Sequence, residues 1–217
     1  MGDVVRLADR RDARRSQARP SARRLRAEFL FDLCCPFSYL ASERVDRMLD
    51  DVTWTPASDT ALRCGSLVAQ ADVEAVRQAA EQRAAELRLP LVWPERWPAE
   101  VPVAMRAAAF AAERGRGAAF VLAAGRLAFC GGFDLDDPEI LAEAAAAAGI
   151  GMAGCLRAMG DVRRDGTVEV AGRRLLAAGA DRLPALRLGR ALYWGEDRVG
   201  QALTAARLQA AAAAAAR

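Results

Sequence analysis

Two adjacent cysteines, Cys34 and Cys35, are the residues best suited to chemistry, and they lie in the segment Cys-Cys-Pro-Phe-Ser. A thiolate is a strong nucleophile and hydrogen-bond acceptor, and its availability depends on the pKa of the thiol. The chain contains five cysteines and no Cys-x-x-Cys pair, which argues against a disulfide framework. The other three, Cys64, Cys130 and Cys155, are predicted to be buried small hydrophobic residues.

The residue types that are missing exclude whole classes of chemistry. The sequence contains no histidine, no lysine and no asparagine. Ser-His-Asp triads and Cys-His dyads are therefore impossible within the chain, as are zinc and iron sites that use imidazole. Schiff-base chemistry on a lysine is excluded as well. Thiol, hydroxyl, carboxylate, guanidinium and backbone amide groups remain, and we predict no metal.

The two cysteines lie where a predicted strand passes into a predicted helix. Residues 28–33 (EFLFDL) are typical of a short buried strand, and apolar residues then recur at helical spacing from Phe37 to Met48. Pro36 fits the first turn of that helix. The free amides and the dipole at a helix N-terminus stabilise a thiolate. We therefore expect a reactive Cys35 with a pKa below the free value of about 8.5, while strand alternation would turn Cys34 inward.

Ser38 follows Cys35 by one helical turn and is expected on the same side of the helix. Its hydroxyl can donate a hydrogen bond to a Cys35 thiolate or polarise a bound group. A serine cannot act as a resolving thiol, so this arrangement argues against self-contained dithiol-disulfide exchange. It favours chemistry in which a low-molecular-weight thiol is the second partner or the nucleophile itself.

Two segments near the end of the chain complete the set of candidate site residues. Leu183-Pro184 opens a predicted strand, where a proline is tolerated because its position requires no ladder hydrogen bond. Glu196 and Asp197 follow the last predicted strand. Asp197 has two interpretations: it caps the final helix, or its carboxylate holds an ammonium group at the sheet edge.

The order of predicted elements favours an α/β thioredoxin-like fold with a helical insertion. Residues 27–65 and 161–217 are predicted to form a thioredoxin-like domain, in the order β-α-β and then α-β-β-α. Residues 184–188 and 191–195 are its last two strands, joined by a glycine-first turn at Gly189-Arg190. An alanine-rich block, residues 66–160, is predicted to be a helical insertion with helices near residues 72–88, 101–114, 117–129 and 137–148.

Charge is concentrated at the start of the chain. Residues 1–26 hold nine arginines against three aspartates, a net charge of +6, so the rest of the chain carries −3. We interpret this segment as a basic disordered tail. Nucleic-acid binding is disfavoured because no aromatic residues are interleaved with the arginines. No apolar run suits a membrane span or a secretory signal, which predicts a cytoplasmic protein without a membrane partner.

Several motifs in the right order resemble the DsbA-like thioredoxin superfamily, and most closely its branch of 2-hydroxychromene-2-carboxylate isomerases and kappa-class glutathione transferases. Residues 31–39 (FDLCCPFSY) match that branch's F-D-x-x-S-P-Y-S-Y. VTWTPASDTAL resembles its W-x-P segment, LRLPLVWPERWP its L-G-L-P-x-x-W-P-x-x-F-P stretch, and VAMRAAAFAAERGR the helix that follows. ADRLPALRLGRALYWGEDRV resembles its closing G-V-P-T-F-V-V-D-G-E-x-F-W-G-x-D-R-L. The similarity covers residues 28 to about 205.

The resemblance implies a glutathione-type thiol as cofactor and specific roles for the candidate residues. Cys35 stands where the branch has the catalytic Ser that contacts the glutathione sulfur. Leu183 would pair through its backbone with the thiol tripeptide beside a cis Pro184. Glu196 and Asp197 match the corner that binds the γ-glutamyl group. Isomerase relatives carry an Asn in the stretch after F-P and a Lys near the substrate, whereas this chain has Glu100 and Val101 in that stretch.

Three functions follow from this resemblance. The first is a thiol-dependent isomerase or transferase acting on a small aromatic or hydrophobic substrate. The second is a DsbA-like monothiol disulfide oxidoreductase that forms a mixed disulfide at Cys35. The third is a non-catalytic thiol-binding protein. Relatives are commonly dimers, so the resemblance also implies a homodimer.

Overall fold

The computed structural model describes residues 26–62 and 73–215. The predicted disordered tail and the expectation for Cys64 lie outside these residues, apart from Arg26. Within them the strands are β1 (Ala27–Phe31), β2 (Val52–Pro56), β3 (Ala185–Leu188) and β4 (Ala191–Trp194). The helices are α1 (Pro36–Met48), α2 (Val73–Leu87), α3 (Pro102–Glu113), α4 (Gly117–Phe129), α5 (Pro138–Ala147), α6 (Met152–Met159), α7 (Arg163–Ala177) and α8 (Glu196–Ala215). A short 3₁₀ helix spans Thr60–Leu62.

The four strands form one mixed sheet in the order β2-β1-β3-β4. β1 pairs with β2 in parallel, whereas β3 is antiparallel to both β1 and β4. The carboxyl ends of β1 and β2 therefore meet at the same edge of the sheet. The thioredoxin-like fold predicted from the sequence is confirmed, and the predicted turn at Gly189 has the required positive φ of 60°.

Side-chain alternation in the central strand β1 divides the interior into two clusters. Phe29 and Phe31 face the larger one, which also contains Trp54 and apolar residues of α1, α3 and α4. Leu30 faces the smaller one with Leu175 of α7. Because both faces of β1 are buried, the strand lies in the middle of the molecule and its carboxyl end is held firmly where α1 begins.

The predicted helices are present, and one of them begins at a side-chain cap. α5 begins after Asp137, whose side chain accepts a hydrogen bond of 2.8 Å from the amide of Glu139, with Pro138 in the first turn. α6 is a helix for which the sequence analysis gave no range. The division of the chain into domains at residues 65 and 161 stays a prediction.

Candidate functional site

Cys35 is the N-cap residue of α1, as the sequence predicted, and Pro36 occupies the first turn. β1 ends at Phe31, and residues 32–35 turn into the helix, with the amide of Cys35 donating to the carbonyl of Asp32 at 3.2 Å. The expectation that Cys34 points inward is wrong. The strand stops before Cys34, so alternation no longer applies, and both cysteines are half-buried and line the same cavity.

The expectation of a lowered Cys35 pKa is also wrong. Burial, together with the nearby Asp59 carboxylate, raises the pKa of Cys35 to about 12, although hydrogen bonding from Ser38 acts in the opposite direction. Burial likewise raises the pKa of Cys34 well above its ordinary value. Desolvation of the thiolate therefore outweighs the helix terminus. At neutral pH the resting protein carries two protonated thiols at this position.

Two carboxylates that were not predicted as site residues, those of Asp32 and Asp59, interact with the cysteines. Asp32 follows β1 and accepts hydrogen bonds from the amides of Cys34 at 3.0 Å and Asp59 at 3.2 Å. Asp59 follows β2 and is 9% exposed. Burial and the charge of Asp32 raise the pKa of Asp59 to about 7. The signal was available, because polar residues that follow two parallel neighbouring strands meet at one edge.

Cys35 opens onto a large groove, which we call the thiol groove. Its volume is about 940 Å³, and it runs from the start of α1 past the β3 loop to α8. Leu183 and Glu196, both predicted site residues, line it together with Asp197, while Phe37 and Leu208 supply apolar surface. The structure thus brings Cys35 together with Leu183, Glu196 and Asp197, whereas Pro184, the fourth residue predicted for glutathione binding, does not line the groove.

The Leu183–Pro184 peptide is cis, as the resemblance implied. Pro184 accepts a hydrogen bond from the amide of Gly195 at 2.9 Å, which fixes the loop to the start of α8. Among the described residues, none forms a backbone hydrogen bond with Leu183. Its amide and carbonyl are therefore available for an extended peptide in the groove.

Glu196 does not present a free carboxylate to a ligand. Its side chain is 4% exposed and accepts from Arg44 of α1 at 2.6 Å and from Arg83 of α2, which contacts it through two nitrogens. A Cβ at Gly200 would collide with the Arg44 guanidinium, so the glycine makes room for this arrangement. Glu196 is thus the common partner of Arg44 and Arg83, and all three side chains line the groove.

Asp197 lies in the first turn of α8, which begins at Glu196, so it is not the cap that one interpretation predicted. Gly195 precedes the helix with a positive φ of 82°, and a Cβ there would meet the Asp197 carboxylate at 2.8 Å. No described residue forms an ion pair with Asp197, so it is the carboxylate of this corner that can accept an ammonium group.

Ser38 is 3% exposed and does not line the groove. Its oxygen accepts from the amide of Asp32 at 3.3 Å, which leaves the hydroxyl proton for Cys35. The described geometry supports its predicted contact with Cys35 rather than one with a bound molecule. Glu43, also in α1, lies 3.8 Å from Arg47, but it is buried and accepts two hydrogen bonds from Arg126.

The two other described cysteines differ in their burial and contacts. Cys155 is buried, as predicted. Cys130 is half-buried and lies 3.1 Å from the hydroxyl of Tyr39, so it is not simply a small hydrophobic residue.

Residues 27–207 match the DSBA-like thioredoxin domain, and the chain belongs to this family. No curated protein matched the sequence.

Solved structures give the same fold at low sequence identity. A 2-hydroxychromene-2-carboxylate isomerase superimposes with a TM-score of 0.72 at 16% identity, covering 88% of this chain and 98% of the other. The cytosolic disulfide reductase DsbM from Pseudomonas aeruginosa does so with a TM-score of 0.62 at 18% identity, covering 85% and 100%. A structure of DsbM with GSH gives 0.58 at 19% identity, covering 77% and 88%.

None of the helices in the described residues is long and apolar enough to cross a membrane. The same residues contain no group of three or more cysteine or carboxylate side chains that could hold a metal ion.

Proposed function

We propose that this protein is a glutathione-dependent isomerase or transferase acting on a small aromatic or hydrophobic substrate. The observation that carries the proposal is the position of Cys35, the free backbone of Leu183 and the Arg44–Arg83–Glu196 cluster along one groove. Glutathione is an extended tripeptide with a thiol, two carboxylates and an ammonium group. The groove offers a partner for each of these parts.

The chemistry of the groove favours the bound thiol, rather than Cys35, as the nucleophile. The N-terminus of α1 stabilises negative charge on any sulfur that lies close to its free amides. The Cys35 sulfur is desolvated and stays protonated, whereas a glutathione sulfur in the open groove keeps contact with water. Cys35 then donates its S–H to the bound thiolate. Addition of that thiolate to a substrate double bond that is conjugated with a carbonyl forms a C–S bond and breaks the π bond, whose electron pair moves to the carbonyl oxygen. After rotation about the new single bond, the electron pair returns, the double bond re-forms and the C–S bond breaks. The thiolate is released unchanged, and no oxidant is needed.

A monothiol disulfide oxidoreductase is the second candidate, favoured by the exposure of Cys35 to the groove and by the similarity to DsbM. Its step would be attack of the Cys35 sulfur on oxidised glutathione, with one glutathione leaving as the thiolate and the other remaining as a mixed disulfide. The raised Cys35 pKa makes this attack slow at neutral pH. For both candidates we propose a cytoplasmic location.

Two measurements on three proteins separate the candidates. Calorimetric titration with glutathione and S-methylglutathione should show binding of both to the wild-type chain and to the Cys35→Ser variant, with Cys34→Ser as the matched control. Mass spectrometry after incubation with oxidised glutathione should show no adduct at Cys35. A stoichiometric adduct that disappears in Cys35→Ser would establish the oxidoreductase instead. Absence of both adduct and affinity would rule out both candidates and leave a protein without thiol affinity.

A further inference from the structure

A second cavity adjoins the thiol groove at Cys34 and Asp59. Its volume is about 780 Å³, and it is lined by the loop after β2, the start of α3 and α7. We call it the acidic cavity. Its apolar lining comes from Pro98, Val101, Met105 and Val168. Cys34 and Asp59 line both cavities, so the two spaces meet at these residues.

The charged groups of this cavity are strongly unbalanced. Five carboxylates and one guanidinium line it, from Asp32, Asp59, Glu100, Asp165, Glu169 and Arg173. Two of the carboxylates are neutralised. Asp165 is bound by Arg106 through two bonds of 2.7 Å, and Glu169 accepts from Arg173 at 3.1 Å. Asp32, Asp59 and Glu100 have no cationic partner within the described part of the chain.

Asp59 is distinctive among these three carboxylates. Asp32 is satisfied by two backbone amides, and Glu100 accepts from the hydroxyl of Thr60 at 3.3 Å. Asp59 is 9% exposed and lines both cavities, and its carboxylate accepts no hydrogen bond from any described residue. A buried carboxylate without a partner carries a large desolvation cost, which a cation in the cavity would offset.

We propose that the acidic cavity binds the second substrate, and that this substrate joins an apolar body to a cationic group, an ammonium or a guanidinium, that pairs with Asp59. The assignment rests on the proposed function, because it places the substrate beside the thiol held in the neighbouring groove. It separates this protein from an isomerase whose name specifies a carboxylate substrate. An anionic substrate would meet three carboxylates that have no cationic partner among the described residues.

Small probes that share one apolar body test the charge preference directly. Phenethylammonium, 2-phenylethanol and phenylacetate are titrated into the full chain in the millimolar range, with binding followed by protein-observed NMR. Phenethylammonium should bind at least about tenfold more tightly than phenylacetate, with the neutral alcohol between them. Shifted resonances should include Asp59 and Val168. Equal affinities, a preference for phenylacetate, or no binding by any probe would overturn the proposal.

Matched variants assign the preference to Asp59. Asp59→Asn should weaken phenethylammonium binding roughly tenfold and leave phenylethanol binding unchanged. Asp50→Asn, which removes an exposed aspartate outside both cavities, should change neither. If Asp59→Asn does not fold, Glu100→Gln at the rim should show a smaller loss in the same direction. An unchanged preference in the folded variants would contradict the proposal.

Glutathione titrations on the same proteins keep the two proposals apart. Glutathione affinity without a cation preference would overturn only the acidic-cavity assignment. A cation preference that depends on Asp59, in a protein without glutathione affinity, would overturn the proposed function and with it the description of the ligand as a second substrate.

Discussion

The thiol groove and the acidic cavity share Cys34 and Asp59, but they differ in whether their charged side chains form ion pairs. In the groove, Arg44 and Arg83 converge on Glu196 and form a paired cluster beside the carboxylate of Asp197, which forms no ion pair with a described residue. In the acidic cavity, three carboxylates lack a cationic partner among the described residues. A cluster of paired charges suits a ligand that carries both a positive and a negative charge, such as a γ-glutamyl peptide. A cluster of unpaired carboxylates suits a cation. Removing one charge from each cluster tests this contrast.

The groove depends most on Glu196, and its removal should have the largest effect. In Glu196→Gln the two guanidiniums lose their common partner and repel each other. We expect the free energy of unfolding to fall by about 3–4 kcal/mol, as for other buried pairs that lose one member. Glutathione affinity should fall at least about tenfold. Urea denaturation and calorimetric titration measure the two effects.

Glu86→Gln is the matched control, because Glu86 also pairs with Arg83, at 2.7 Å, but is half exposed. Its removal should cost less than about 1 kcal/mol. Equal losses in the two variants would mean that burial of Glu196 is not what organises the groove.

The acidic cavity should behave in the opposite way, so that removing its central charge stabilises the protein. The folded-state pKa of Asp59 is about 7, above its ordinary value of 3.8. The contribution of Asp59 to the free energy of unfolding is therefore fully present below about pH 4 and is lost as the pH rises through 7. Asp59→Asn should be more stable than wild type at pH 8, on the order of 2–3 kcal/mol, because solvent in the cavity reduces the roughly 4 kcal/mol implied by a pKa about three units above the ordinary value.

Denaturation at several pH values tests this sign. The difference between Asp59→Asn and wild type should shrink toward zero as the pH falls to about 4. A variant that is destabilised equally at all pH values would show that the Asp59 carboxylate makes a stabilising contact instead.

Cation binding to the acidic cavity should follow the ionisation of Asp59. With a pKa of about 7, roughly one-tenth of Asp59 is ionised at pH 6 and nine-tenths at pH 8. Phenethylammonium, which stays charged over this range, should therefore bind up to about tenfold more tightly at pH 8. The other charged or titratable groups that line the cavity with Asp59 are Asp32, Cys34, Glu100, Asp165, Glu169 and Arg173, and on the groove side the nearest is Cys35.

NMR titration at the two pH values measures this effect, and Asp59→Asn should give a nearly flat profile. A tenfold change that persists in the variant would assign the titration to another group of the cavity.

Much of the fold could be predicted from the sequence, because it follows from local signals. Pro36 marks the start of α1, apolar alternation marks β2, and Gly189 marks the hairpin between β3 and β4. The position of Cys35 at a helix N-terminus followed from the same signals. The cis Leu183–Pro184 peptide and the corner at Glu196 were available only through family resemblance.

The electrostatics of the site could not be predicted, because they depend on tertiary contacts. Helical periodicity identifies a face of α1 and of α2, but it does not show that Arg44 and Arg83 meet Glu196 across the molecule. The pKa of Cys35 was mispredicted for the same reason. Its local position favours a thiolate, and only packing reveals the burial and the Asp59 carboxylate that reverse the preference.

The smallest predicted effect links the two cavities through Cys35. Because the Asp59 carboxylate is a secondary cause of the raised Cys35 pKa, Asp59→Asn should lower that pKa. The pKa should still exceed the free-thiol value of about 8.5, since burial is the larger cause and is unchanged. The pH dependence of iodoacetamide alkylation, resolved by mass spectrometry of the Cys35 peptide, measures it in both proteins. Cys34→Ser removes interference from the adjacent thiol.

A wild-type Cys35 pKa below about 8.5 would mean that the helix terminus is the dominant influence on this thiol. An unchanged pKa in Asp59→Asn would mean that the two cavities are electrostatically independent, despite the residues that they share.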